Sequence, residues 1–88
     1  IIGVTLDQRF QGEGARVQEV SSGGPADGAG LESGDIIVEF DGKAVTDPTG
    51  LIVDIRSMQP GDEVSITVQR GGSTEEFTLT LGSDSSSD

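Results

Sequence analysis

The side chains that most often carry out catalysis are scarce in this sequence. It contains no His and no Cys, and Lys43 is its only lysine. Imidazole catalysis, thiol nucleophiles, disulfides and the usual zinc sites are therefore excluded for this chain. Lys43 lies beside a predicted turn, where we expect it to be solvated, so a serine–lysine pair is not favoured either.

The 16 acidic residues show no arrangement typical of a catalytic pair. Glu75 and Glu76 are neighbours in a predicted strand, so their side chains point to opposite faces. Asp62 and Glu63 follow a predicted helix end, where they face solvent. A general acid–base pair needs a desolvated carboxyl beside a charged one, and no apolar context here provides it. The glycine-rich phosphate loops and the calcium-binding loop also lack residues that they require.

The balance of charge and apolar residues excludes further classes of protein. A net charge of −11 repels nucleic-acid backbones and anionic membrane surfaces. Three phenylalanines are too few for a base-stacking platform, and no apolar run is long enough to span a membrane. The acidity fits either adaptation to a salt-rich cell or a high-GC genome. No metal or cofactor is expected, and binding through shape and backbone remains.

The first six residues offer such a backbone site. In Ile1-Ile2-Gly3-Val4, a glycine between apolar residues directly before a strand lets successive N–H groups point into one concavity. Such a nest binds an anion, for example the terminal carboxylate of a peptide. The next residues, Thr5 and Leu6, could accept an extended peptide as an added strand. The alternative is an ordinary turn followed by an ordinary strand.

Alternating apolar residues predict the strands that would hold this segment. The clearest four lie over residues 15–20, 36–40, 63–69 and 77–81. In the second of them, Ile36, Val38 and Phe40 are expected to share one face. Asp41-Gly42 and Gly71-Gly72 are tight-turn sequences. A short strand near the start and a return strand at residues 44–45 bring the total to five or six.

Two helices are predicted beside these strands. Pro25 begins a short helix that ends at Gly30. Asp47 can cap a longer helix that begins at Pro48 and continues to about residue 58. Its apolar residues exceed one narrow stripe, so some could pack on the core and others could wall a groove. They are Leu51, Ile52, Ile55 and Met58.

The length of 88 residues fits one domain. The predicted class is a β-rich α+β fold, a partly open sheet or barrel of five to six strands capped by one main and one short helix. Residues 1–82 form the domain, and the Ser- and Asp-rich residues 83–88 are expected to be a disordered tail. With no initiator Met and no signal peptide, the chain is predicted to be a fragment of a longer protein.

The order of these segments resembles PDZ domains, in particular those of bacterial HtrA-family (DegP-like) serine proteases. Ile1–Val4 is similar to the carboxylate-binding loop of that family. The other matching segments are Gly23–Ala26, Ala29–Leu31, Gly34–Ile37, Phe40–Val45, Pro60–Val64 and Val68–Gly72. The resemblance covers about residues 1–82. Tail-specific proteases, intramembrane proteases and secretion proteins carry similar domains and are alternatives for the parent protein.

The resemblance implies a peptide-binding site. Backbone amides of the Ile1–Val4 loop would hold a peptide's terminal carboxylate, with Ile2 and Val4 lining the pocket for its last side chain. Thr5 and Leu6 would pair with the peptide backbone. The helix wall would consist of Leu51, Ile52, Ile55 and Met58. No His begins this helix, so a preference for Ser or Thr two residues before the peptide's end is not supported. The apolar pocket instead favours an apolar last residue.

The resemblance also implies a role. The module would capture C-termini of misfolded or cleaved proteins and feed or regulate an HtrA-type serine endopeptidase, in an extracytoplasmic compartment. The catalytic residues would lie upstream, so this chain is not itself an enzyme. The fragment would be monomeric and its parent trimeric. A structural spacer with a closed groove is the alternative role.

Overall fold

An antiparallel sheet with two helices makes up the part of the chain that the computed structural model describes, residues 3–7, 9–10 and 12–82. Its six strands are β1 (Val4–Leu6), β2 (Ala15–Val20), β3 (Ile36–Phe40), β4 (Lys43–Ala44), β5 (Glu63–Arg70) and β6 (Ser73–Thr80). The helices are α1 (Pro25–Ala29) and α2 (Pro48–Arg56). The β-rich α+β class predicted from the sequence is confirmed. The predicted tail at residues 83–88 lies outside the described residues.

The order of strands leaves β1 at one edge of the sheet. Neighbouring strands run β1-β2-β3-β5-β6, and β4 pairs with β3. The long β5–β6 hairpin pairs in register from Glu63 opposite Thr80 to Arg70 opposite Ser73. Gly71 and Gly72 close it with φ angles of 56° and 90°, which is the left-handed geometry of a two-residue hairpin turn. No helix in the described part of the chain is long and apolar enough to cross a membrane.

Helix α2 begins as its sequence predicts. The Asp47 carboxylate accepts a hydrogen bond of 2.7 Å from the Gly50 N–H, and Pro48 occupies the first turn, where its missing N–H costs nothing. The regular helix ends at Arg56, and a further turn continues to Met58, whose N–H donates to the Ile55 carbonyl. The helix packs on the core through Leu51, which is fully buried.

The core lies on one side of the sheet and corrects the predicted face of β3. Ile37 and Phe40 are buried, whereas Ile36 and Val38 are only partly buried. The register shifts between Ile37 and Glu39, so Val38 is an extra residue in a β-bulge. The bulge breaks the period of two, and the expectation that Ile36, Val38 and Phe40 share one face is wrong.

A buried carboxylate joins the start of β3 to the end of β5. Asp35 is 1% exposed and accepts hydrogen bonds from Arg70 Nε at 2.8 Å and Nη2 at 2.7 Å, and from the Glu32 N–H at 2.9 Å. Burial by itself raises the pKa of the Asp35 carboxyl, but these hydrogen bonds and the Arg70 charge outweigh it and hold the pKa below its usual range. The same guanidinium lies over the Phe77 ring.

The bulge predicts that truncating two neighbouring side chains lowers the free energy of unfolding by unequal amounts. Ile37→Ala should lower the free energy of unfolding by about 2–4 kcal/mol, because it opens a cavity in the core. Val38→Ala should cost about 1 kcal/mol or less, since its side chain lies on the opposite face. Urea denaturation of both variants measures the difference. Equal costs would contradict the bulged register.

The Asp35–Arg70 pair predicts a stability difference that depends on pH. Asp35→Asn should lower the Tm by about 10 °C at pH 7, because it breaks a buried ion pair. A folded pKa that is lower than the unfolded value of about 3.9 stabilises the fold above that pH. The gap between the wild type and the variant should therefore narrow as the pH falls below about 4. Thermal unfolding at several pH values tests this, and a gap that stays constant into acid would contradict it.

Candidate functional site

The hydrogen bonds of β1 show which of its backbone groups face the sheet. The Gly3 carbonyl accepts from the Ser21 N–H at 2.8 Å, and the Asp7 N–H donates to the Arg16 carbonyl at 2.9 Å. Alternate residues of an antiparallel strand turn to the same neighbour. Thr5, between them and opposite Glu19, therefore directs its N–H and C=O to β2.

The remaining groups of β1 face away from the sheet. By the same alternation, the N–H and C=O of Val4 and Leu6 point to the edge at which the order of strands ends. This refines the predicted pairing residues, Thr5 and Leu6, because the outward pair is Val4 and Leu6. The Thr5 side chain is exposed, whereas Leu6 is buried and Val4 packs against the core.

Gly3 holds the loop that leads into this edge. Its φ of 82° lies in the left-handed region, which strains any residue with a Cβ. A Cβ at this position would also lie 3.4 Å from both Gly24 Cα and Pro25 Cδ. The start of α1 thus supports the loop from behind. Of the predicted carboxylate loop, Gly3 and Val4 are described, while Ile1 and Ile2 lie outside the described residues.

Helix α2 and the turn that follows it supply partly buried apolar side chains that pack against the same core as Val4. They are Ile52, Ile55 and Met58. Leu51 is fully buried, so of the four predicted helix residues it belongs to the core and is closed to a ligand. Val53, on the opposite face of the helix, is 61% exposed.

The β1–β2 loop is tied to the segment that precedes α2. The Gly14 N–H donates to the Thr46 carbonyl at 3.2 Å. At the far end of β1, the Asp7 carboxylate pairs with Arg16 at 3.2 Å and accepts from the Arg9 N–H at 2.9 Å. Sequence reasoning missed these ties, because a glycine and an acid in a polar loop carry no pattern that names their partners.

The described residues hold no cluster of His, Cys, Asp and Glu that could bind a metal ion. The arrangement is instead one of backbone groups and apolar side chains: an open strand edge, a left-handed glycine before it, and an apolar helix. Such an edge can pair with an extended chain, and apolar side chains beside it can bury that chain's alternate residues.

Comparisons with known proteins agree with this architecture. The family model described as the PDZ domain matches residues 1–81. A curated relative named a probable periplasmic serine endoprotease DegP-like, from Rhizobium meliloti (strain 1021), is 32% identical over 72 residues. The match covers 82% of this chain but only 14% of that relative's length.

Solved structures show the same fold. The HtrA-type protease AlgW with a decapeptide has a TM-score of 0.86 and 26% identity, covering 93% of this chain and 28% of that one. The HtrA3 PDZ domain bound to a phage-derived ligand, FGRWV, has a TM-score of 0.77 and 25% identity, covering 91% of this chain and 82% of that one.

The orientation of β1 makes a prediction about amide exchange. The Val4 and Leu6 N–H groups point outward and should exchange with solvent at least about tenfold faster than the Thr5 N–H, which faces β2. Hydrogen–deuterium exchange followed by NMR measures all three amides in one sample. A protected Val4 amide and an unprotected Thr5 amide would contradict the register of this edge.

Proposed function

The chain belongs to the PDZ domain family, and on that premise we propose that it binds polypeptide C-termini in a groove between β1 and α2. The observation that carries the proposal is the open edge of β1, where Val4 and Leu6 direct their N–H and C=O groups away from the sheet. A peptide added there is held by main-chain hydrogen bonds, which are indifferent to sequence.

The terminal carboxylate is assigned to the loop before β1. The donors would be the N–H groups of Gly3 and Val4, together with that of Ile2, and Gly3 supplies the left-handed backbone that such a nest requires. Fixed N–H dipoles matter here because the chain's net charge of −11 repels an anion. Salt screens that repulsion, so moderate salt should strengthen the binding of acidic peptides.

Specificity comes from the apolar walls. Apolar side chains on both sides of the groove would enclose the peptide's last side chain. The strand side contributes Val4 with Ile2 before it, and the helix side contributes Ile52, Ile55 and, in the turn after the helix, Met58. An apolar last residue, such as Val, Leu, Ile or Phe, is therefore preferred. The ligand bound to the HtrA3 PDZ domain, FGRWV, ends in Val, which supports this preference.

The parent protein is proposed to be an HtrA-type serine endoprotease. Curated relatives are named probable periplasmic serine endoproteases DegP-like, and this chain spans 14% of the length of the one from Rhizobium meliloti. In such a protein the module, residues 1–82, would capture the C-termini of misfolded or cleaved proteins outside the cytoplasm. It would deliver them to the protease domain of the same polypeptide or regulate that domain, as a monomeric module within a trimer.

The test compares peptides that differ only in the C-terminal group, which is either a carboxylate or an amide. Peptides with an apolar last residue should bind with micromolar affinity as free acids, and at least about tenfold more weakly as C-terminal amides, because the amide lacks the charge that the loop recognises. Isothermal titration calorimetry measures both. Equal binding of acid and amide would remove the carboxylate from the mechanism, and no binding of either would favour a structural spacer.

Two pairs of variants locate the site. Gly3→Ala should abolish binding, because it disturbs the loop before β1. Gly23→Ala is the control, since Gly23 also has a left-handed φ, of 78°, and a Cβ there would meet nothing within 4 Å. It should strain the backbone in a similar way but leave the loop before β1 intact. Ile52→Glu should weaken binding at least about tenfold, because it places a charge in the groove. Val53→Glu places the same charge on the exposed neighbouring residue and should not weaken binding. Equal effects within either pair would place the peptide elsewhere.

A further inference from the structure

A second apolar surface lies on the face of the sheet opposite the core. On this face β5 carries Ser65, Thr67 and Gln69, which are polar. Strand β3 differs, because its two side chains on this face are apolar and only partly buried. They are Ile36, which lies between Arg16 and Gln69, and the bulged Val38. Neither the core nor the proposed peptide groove accounts for these two side chains.

These side chains form the floor of a pocket of about 510 Å³. Phe10 from the β1–β2 loop and Val45 after β4 complete the apolar part, and Glu13 and Gln69 add polar groups. A volume of this size lies within the range of about 300–1,000 Å³ that ligand sites occupy.

The backbone builds this pocket through several special positions. The Val38 carbonyl in the bulge accepts a hydrogen bond of 2.8 Å from the Val45 N–H, which fixes one wall. Gly14, with a φ of 102°, brings the β1–β2 loop so close to β3 that a Cβ would lie 2.7 Å from the Ile37 carbonyl oxygen. Bulges and close backbone approaches of this kind often aim side chains at functional sites.

The charge around the pocket is negative. Glu13 lines it, and Glu39 pairs with Ala44, another lining residue, and with Thr67. Glu76 lies on the other side of Thr67 in the sheet. Directly opposed residues share a face of a sheet, so all these carboxylates lie on the pocket's side.

Two of the basic residues nearby, Lys43 and Arg16, do not cancel this charge. Lys43 lies opposite Phe40, whose side chain is in the core. Because opposed residues share a face of the sheet, Lys43 projects on the core side, away from the pocket. Arg16 lies opposite Ile36 on the pocket's face, but its guanidinium is already paired with Asp7 at 3.2 Å.

We propose that this pocket is a second docking site, for a polypeptide segment that inserts one apolar side chain between Lys or Arg residues. The apolar floor would bury the anchor, and the carboxylates would pair with the flanking cations. The chain's own residues 83–88 do not fit this description, because they are Ser and Asp with no apolar side chain. The site needs no terminal carboxylate and is therefore independent of the proposed groove.

The pocket also adjoins both walls of that groove. The loop that carries Phe10 and Glu13 follows β1, and Thr46, which lines the pocket, lies two residues before α2. The hydrogen bond from the Gly14 N–H to the Thr46 carbonyl connects the two segments. A segment bound in the pocket would thus lie beside residues that are continuous with β1 and α2.

The test uses ¹⁵N-labelled protein and peptides whose C-termini are amidated, which removes the group that the groove recognises. A peptide with a leucine between lysines should shift the amide signals of Val38, Ala44, Thr46 and Gln69. The same peptide with glutamates for the lysines, or with glycine for the leucine, should bind at least about tenfold more weakly. A free-acid peptide with an apolar last residue serves as the separate probe of Val4 and Leu6.

Charge-matched variants decide whether the acidic rim matters. Glu13→Lys should weaken the lysine–leucine peptide at least about threefold. Glu63→Lys makes the same charge change on an exposed residue at the other end of β5, roughly 20 Å from Gln69, and should have a smaller effect.

Several results would overturn the pocket proposal. One is an equal loss of affinity for the lysine–leucine peptide in the Glu13→Lys and Glu63→Lys variants, and another is equal binding of the acidic peptide. The others concern the amide signals: shifts confined to Val4–Leu6, no shifts at all, or the same shifts at the pocket when only the protein concentration is raised. In each of these cases the free-acid probe still reports separately on the groove, so failure of one proposal does not decide the other.

Discussion

Strand β1 is bonded to the sheet along one edge only, and the rest of the site depends on that asymmetry. An unpaired edge invites pairing with any extended chain, and proteins normally cover it or keep it short. Here the edge has three residues, and Gly3, with its left-handed backbone, lies directly before it. The outward groups of Val4 and Leu6 lie on this unpaired edge, and the proposed binding of a peptide terminus rests on them.

An open edge is useful only on a rigid scaffold. The β5–β6 hairpin and the buried core on one face of the sheet provide that rigidity, and Arg70 reinforces it at a point where three elements meet. Its guanidinium bonds the buried Asp35 before β3 and the Gly30 carbonyl that ends α1, at 3.0 Å. Because α1 begins at Pro25, against Gly3, this anchor also supports the backbone at Gly3 indirectly. The strongly acidic surface acts in the other direction, since it opposes the anion that the loop is proposed to hold.

Local signals made most of the fold predictable from sequence. The strand at residues 15–20, the helix caps at Gly30 and Asp47, and the Asp41-Gly42 turn, with φ angles of 52° and 84°, all follow from nearby residues. The bulge at Val38 could not be predicted, because it depends on how β3 fits both β4 and β5. The outward pairing of Val4 in place of Thr5 likewise depends on partners in β2. The Asp35–Arg70 bond joins residues 35 positions apart, beyond the reach of any periodic pattern. The sequence also does not show that Leu51 is fully buried in the core while Ile52 is only partly buried, because this difference depends on how the helix packs.

A crystal structure of the chain with a free-acid peptide that has an apolar last residue would show where the terminus binds. We expect the peptide to lie antiparallel to β1, with its backbone bonded to Val4 and Leu6. Its carboxylate oxygens should lie within about 3.2 Å of the Gly3 and Val4 N–H nitrogens, and its last side chain against Ile52 or Ile55. A peptide bound at any other edge, or one whose carboxylate faces solvent, would contradict the account.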